Sequence, residues 1–223
     1  MRKNSSFRWI SGCNAVKTIY ISCMVLILVL MARAQPLFHG TYRLDSGQSS
    51  LHIEVDRGGL FKFFGHDHTV AAKKFSGTVQ IDSDAMEGSS VSINIESISL
   101  TVLDPSASEK ERSDVQAAME SSKVLDVRAF PNITFRSTQV RDISRDGEDF
   151  KINLIGTLNL HGVEKEITLP ASIRFEKDLL YASGTVSIKQ TDFEMVPIKL
   201  IGGTVRVKDA VKVSFDMLAR RAD

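Results

Sequence analysis

Lys151-Ile152-Asn153-Leu154-Ile155-Gly156-Thr157-Leu158-Asn159-Leu160-His161-Gly162 decides the fold class. Ile152, Leu154, Gly156, Leu158 and Leu160 alternate with polar residues, and Ile155 is the single exception. A period of two puts one set of side chains on a buried face and the other toward water, which describes a strand and not a helix. His161-Gly162 closes it with turn chemistry. The same alternation recurs on both sides. Phe75, Gly77, Val79 and Ile81 share a face, as do Val91, Ile93 and Ile95. Ala182, Gly184, Val186 and Ile188 form another such set. Segments 42–45, 51–55, 133–140 and 167–175 supply further strands. Val205 and Val207, followed by Val211, Val213, Phe215 and Met217, predict a hairpin-like pair around Lys208-Asp209.

Asp45-Ser46-Gly47, Met86-Glu87-Gly88 and Asp146-Gly147 are turn signals between these runs. Many short strands without βα alternation make an all-β sandwich or barrel. Closing the sheet removes the edges that invite pairing with other chains. The expectation is therefore an antiparallel barrel of about eight strands. A barrel of that size is either filled by side chains or holds one small ligand. Gly77, Gly156, Ala182 and Gly184 on inward faces suit a ligand space, and equally suit strand bends or bulges. Both readings stay open at this level.

One segment breaks the β pattern. Residues 105–128 are rich in Ser, Glu and Lys, and Ser108 precedes Glu111 at capping-box spacing. Val115, Ala118 and Met119 fall on one helical face. This long connection is expected to carry one or two short helices over an end of the barrel, stopped by Phe130-Pro131.

The N-terminus speaks to compartment. Residues 1–17 contain Arg2, Lys3, Arg8 and Lys17 and no acid; an uncharged run, residues 18–31, then leads to Ala32-Arg33-Ala34. A basic region, an apolar region and a small-x-small end make a secretory signal peptide over residues 1–34. The apolar run is shorter than the roughly 20 residues that span a bilayer. Cleavage near Ala34 would leave 189 of the 223 residues, 35–223, as one domain, periplasmic or secreted. It would take five of the 28 basic residues and none of the 27 acids, leaving a net charge of −4. Cys13 and Cys23 leave with it, so no disulfide supports the domain. The mildly acidic remainder has no basic cluster, which argues against a nucleic-acid partner.

Gly65-His66-Asp67-His68 is the most suggestive polar group. Residues two apart on a strand point the same way, so His66 and His68 could converge on one ion or phosphate. A zinc site needs at least one more ligand, from His52, His161 or a carboxylate. The plainer reading is a polar turn. His161 belongs to a turn and is expected to cap a backbone group, and His52 to face outward. Phe61, Phe63 and Phe64 exceed what one strand face buries, so they are candidates for lipid contact. The chain has no P-loop, GxSxG, HExxH or catalytic-cysteine pattern.

Taken together, several segments resemble a known family. They include Tyr42-Arg43-Leu44-Asp45, Phe75-Ser76-Gly77 and Phe130-Pro131-Asn132-Ile133-Thr134-Phe135. Gly156-Thr157-Leu158-Asn159-Leu160-His161-Gly162, Gln190-Thr191-Asp192-Phe193 and Val207-Lys208-Asp209 continue the set in order. Residues 41–219 are similar to the YceI-like, lipocalin-like, polyisoprenoid-binding family, in a branch with the GHDH motif. The resemblance implies a barrel with a long apolar tunnel, export, and an isoprenoid lipid ligand such as a polyprenyl phosphate or quinone. It carries over no catalytic residue, so the protein is expected not to be an enzyme. The ligand-contact candidates are Phe61, Phe63, Phe64, His66, His68, Val79, Ile93, Phe135, Leu158 and Phe193. Transient membrane contact fits a lipid carrier, and a homodimer is an open option. The competing expectation is a metal-dependent enzyme, or a metal- or haem-binding stress protein, built on His66 and His68.

Overall fold

The last long strand pairs along both of its edges, and this pairing closes the molecule. The structure is a computed structural model that describes residues 39–58, 68–82, 85–105, 107–200 and 205–222. Its strands are β1 Gly40–Leu44, β2 Ser50–Val55, β3 Arg57–Gly58, β4 His68–Ala72, β5 Phe75–Ile81, β6 Ser90–Glu96 and β7 Leu100–Val102. After helix α1, Glu109–Glu120, come β8 Asn132–Asp146, β9 Asp149–Leu160, β10 Val163–Glu176 and β11 Leu179–Lys189. The short β12 Lys199–Leu200 and β13 Val205–Val207 precede β14 Ala210–Arg221. All pairings are antiparallel. The order β1-β5-β6-β8-β9-β10-β11-β14 returns to β1, where Tyr42 pairs with Arg221. Eight strand positions thus close a barrel.

Three of those positions are interrupted strands. β2 continues β1 along β14, β4 continues β5 along β2, and β7 continues β6 along β4. Between Leu44↔Ala219 and Ser50↔Asp216 one strand advances six residues against three on its partner. The Asp45 turn absorbs the excess. Ser49 Oγ donates to the Asp45 carbonyl at 2.7 Å, and Asp45 Oδ2 accepts from Arg220 Nε at 2.9 Å.

The expected hairpin around Lys208-Asp209 is not formed. β13 pairs with β12 and β3, whereas β14 pairs with β11, β1 and β2. Lys208-Asp209 is a corner between two sheets, and apolar alternation looks the same on either side of a corner. The Asp209 carboxylate accepts the Thr191 N–H at 2.9 Å and its hydroxyl at 2.7 Å, tying the corner to a 3-10 turn, Gln190–Phe193. Those bonds, the backbone one foremost, hold the Asp209 carboxyl below the usual carboxylate range.

The long connection carries one α-helix, begun by the Ser108–Glu111 capping box. Gln116 docks it to β7: its Nε2 donates to the Leu100 carbonyl at 2.8 Å and its Oε1 accepts the Val102 N–H at 2.9 Å. One side-chain amide thus stands in for a neighbouring strand and covers a sheet edge.

A bulge explains a switch of face within β8. Ser137 pairs with Gly156 but Gln139 pairs with Ile155, so Thr138 is extra. Buried positions accordingly move from odd numbers (Ile133, Phe135) to even (Val140). The inward glycines do not open space. A Cβ on Gly156 would lie 2.7 Å from Phe135 Cζ, and one on Gly184 would lie 2.6 Å from Phe215 Cζ and 2.2 Å from the Pro170 carbonyl oxygen. Phenylalanines of adjacent strands lie over these glycines, the arrangement by which aromatic rings rescue glycine in sheets.

Gly184→Ala forces a methyl against backbone oxygen, so it should lower unfolding free energy by about 1–3 kcal/mol in urea titrations. Gly88→Ala, whose nearest atom is 3.9 Å away, should change it by less than about 0.5 kcal/mol. Asp209→Asn should cost about 1 kcal/mol at neutral pH, a value kept small by solvent exposure. Because the folded carboxyl is held low, its contribution is complete above the unfolded value near 3.9 and fades as pH falls through the folded value. Thermal melts from pH 7 down to 2 should therefore show the gap between wild type and variant closing on the acid side.

Candidate functional site

Inward side chains leave a cavity of about 290 Å³ along the barrel axis. Every closing strand contributes wall: Leu44 from β1, Val79 from β5, Ile93 from β6, Phe135 from β8, Leu158 from β9, Leu169 from β10, Ala182 from β11 and Phe215 from β14. The volume is close to the lower bound of ordinary ligand pockets, roughly 300 Å³. Among the described residues no charged one lines it. Ser89, Ser90 and Gln190 are the only polar side chains in the wall among the described residues.

Two apolar clusters flank this space. At the end reached by the β8–β9 and β10–β11 hairpins, the fully buried Tyr42 meets the Phe175 ring edge-on at 6.2 Å, and Phe175 meets Phe150 at 6.3 Å. Arg145 lies over Phe150 at 5.4 Å. Burial pushes the Tyr42 hydroxyl above its ordinary pKa. At the opposite end Met119 of α1, with Val124 and Leu125 after it, packs with Phe75, Leu160, Phe193 and Met195. The helix connection therefore covers this end, as the apolar face of residues 115–119 predicts, and Met119, Val124 and Leu125 are part of the wall.

The barrel side carries a seam. Paired register between β10 and β11 runs from Glu176↔Leu179 to Ser172↔Ser183 and stops. Pro170 has no N–H to offer, and its carbonyl oxygen lies where a side chain on Gly184 would begin. Beyond that point Ile167, Leu169, Val186 and Ile188 border the cavity from the two strands.

Polar side chains in the wall are mostly committed. Ser89 Oγ accepts the Asp82 N–H at 3.0 Å and faces Met86 Sδ at 3.7 Å. Gln190 Nε2 donates to the Lys208 carbonyl at 2.9 Å. Gln190 belongs to a segment that carries the family resemblance, but its place in the wall is set by partners 18 and 19 residues away, which no local pattern shows.

Of the residues anticipated for ligand contact, Val79, Ile93, Phe135 and Leu158 line the cavity. Phe193 sits in the helix-side cluster, 1% exposed, and is not among the lining residues. Phe61, Phe63, Phe64 and His66 lie outside the described residues. His68 begins β4 opposite Val55, and its side chain is likewise outside the description. Leu51 and Ile53 line the cavity, so His52 between them belongs to the outer face. His161 and Gly162 both have positive φ, as a type I′ turn requires. His161 Nδ1 donates to the Phe193 carbonyl at 3.1 Å and its ring meets Phe130 at 5.0 Å, so it fastens the turn to the 3-10 segment. Among the described residues no group of three or more His, Cys, Asp or Glu side chains could hold a metal ion.

Comparison with known proteins agrees with this architecture. The model of the YceI-like domain matches residues 42–219. An UPF0312 protein of Enterobacter sp. (strain 638) is 30% identical over 137 residues, covering 61% of this chain and 59% of that relative. The match thus spans under two thirds of the relative's length. Burkholderia cenocepacia BcnA superposes with a TM-score of 0.61 at 20% identity, over 78% of this chain and 98% of that one. A polyisoprenoid binding domain from Saccharophagus degradans, implicated in plant cell wall breakdown, gives 0.56 at 14% identity, over 83% and 100%. The Campylobacter jejuni YceI protein gives 0.51 at 20% identity, over 69% and 85%. With a barrel of the same kind and a family match over nearly all described residues, the chain belongs to the YceI-like family.

Proposed function

We propose that this protein is an exported carrier that holds an isoprenoid-type lipid inside its barrel and performs no catalysis. One observation carries the reading: every closing strand gives apolar side chains to the cavity wall, and no described residue of that wall is charged. Burying apolar surface yields roughly 25 cal/mol per Å², so a few isoprene units supply several kcal/mol before ordering costs. A charged head group inside such a wall would lose hydration without a counter-charge, at a cost far above that gain. The bound portion of the ligand is accordingly neutral.

The basic, apolar and small-residue pattern of residues 1–34 supports export to the periplasm or beyond. The polyisoprenoid binding ascribed to the Saccharophagus degradans domain supports the ligand class. Loading and unloading such a lipid calls for brief contact with a membrane. The alternative metal-centred reading draws no support from the described residues.

Solvent extraction and native mass spectrometry of protein purified from its own cells test the proposal. They should find a neutral apolar chain at near one per protein, and protein isolated repeatedly without one would overturn it. Ala182→Phe, which places a ring in the lumen, should weaken binding of radiolabelled farnesol at least tenfold. Far-UV circular dichroism should remain that of a β-barrel.

A further inference from the structure

We propose that Gln190 is a selectivity residue, and that the lumen prefers lipids whose buried end carries a neutral hydrogen-bond donor, a hydroxyl above all. The inference rests on lipid binding in the lumen and adds which end group is chosen. Gln190 is 6% exposed and lines the cavity just after β11. Its amide orientation is fixed by its neighbours. The nitrogen lies 2.9 Å from the Lys208 carbonyl oxygen and 3.5 Å from that of Asp209, and carbonyl oxygens only accept. The Oε1 must therefore be the other end of the amide, turned away from that backbone. No described residue donates to it.

That oxygen is therefore an accessible acceptor in a wall whose described side chains are otherwise almost all apolar, open to a donor from a ligand. Its wall neighbours Ile188 and Val211, paired across β11 and β14, have no polar side-chain group to offer, and Met195 has only a thioether. A ligand hydroxyl would supply the missing proton. A phosphate at neutral pH brings negative charge toward a carbonyl oxygen, and an oxidised quinone brings further acceptors. Both are disfavoured at this position, whereas a prenol or a hydroquinone is favoured. The amide itself stays in place because Gln190 N–H also donates to the Asp209 carbonyl at 2.9 Å.

Farnesol and farnesyl methyl ether differ by the donor alone, and the full chain can be titrated with each. Wild type should bind farnesol at least tenfold tighter than the ether. Gln190→Met, similar in volume but without the amide oxygen, should bring that ratio near one while leaving ether affinity within about twofold. Because this variant also loses the bonds to Lys208 and Asp209, a second measurement uses the wild-type chain with 13C-labelled glutamine. The Gln190 side-chain carbonyl resonance should shift on adding farnesol and not on adding the ether. Equal wild-type affinities, or equal resonance shifts, would overturn the selectivity while leaving lumen binding intact. Failure of both ligands to bind would overturn the carrier reading and this proposal with it.

Discussion

Closure of β14 against both β11 and β1/β2 is the constraint on which the site depends. In a closed antiparallel wall the ladder satisfies backbone N–H and C=O groups, so the interior needs no polar side chains to pair them. Only then can a lumen be lined by Val, Ile, Leu and Phe from one end to the other. The interruptions respect this rule. The kink at Asp45 is bridged by the Ser49 hydroxyl, and the Gln116 amide covers the edge of β7. At the β10–β11 seam the register ends beside Pro170, a residue with no N–H to lose.

Much of this was legible from the sequence because it is local. Alternation along β9 and β11, the Ser108–Glu111 box and the Asp146-Gly147 turn each lie within a dozen residues. What escaped is non-local. The bulge at Thr138 is visible only against Gly156 on the next strand. The corner at Lys208-Asp209 mimics a hairpin, since periodicity does not say which strand a neighbour pairs with. Phe193 has the size of a lining residue, yet the chain turns into a 3-10 segment before it, and its ring is spent against the helix side. Gln190 stood in a segment that carries the family resemblance, while its own side-chain partners are carbonyls 18 and 19 residues on.

The inward glycines show why residue size alone does not report free volume. Gly156 and Gly184 suggested room, but Phe135 and Phe215 occupy that room. In an eight-stranded barrel the radius is fixed by strand number and stagger, so the interior is just wide enough to fill. A ring from one strand needs a missing side chain on the next, and the glycine supplies it. The remaining space lies between the aromatic cluster around Tyr42 and the helix-side cluster around Phe193, where the wall side chains are mainly aliphatic.

That location ties ligand binding to the stability of the barrel. Apolar space inside a protein forgoes dispersion contacts, at about 24 cal/mol per Å³ in core-truncation series. For about 290 Å³ this amounts to some 7 kcal/mol, comparable with the whole stability of a typical domain. Hydrocarbon of matching shape would restore those contacts, so a ligand of the proposed kind would act as a missing piece of core and stabilise the fold by linkage. A wall whose described residues carry no charge suits hydrocarbon as its filling, and under the proposed selectivity the Gln190 amide oxygen would give that filling a direction.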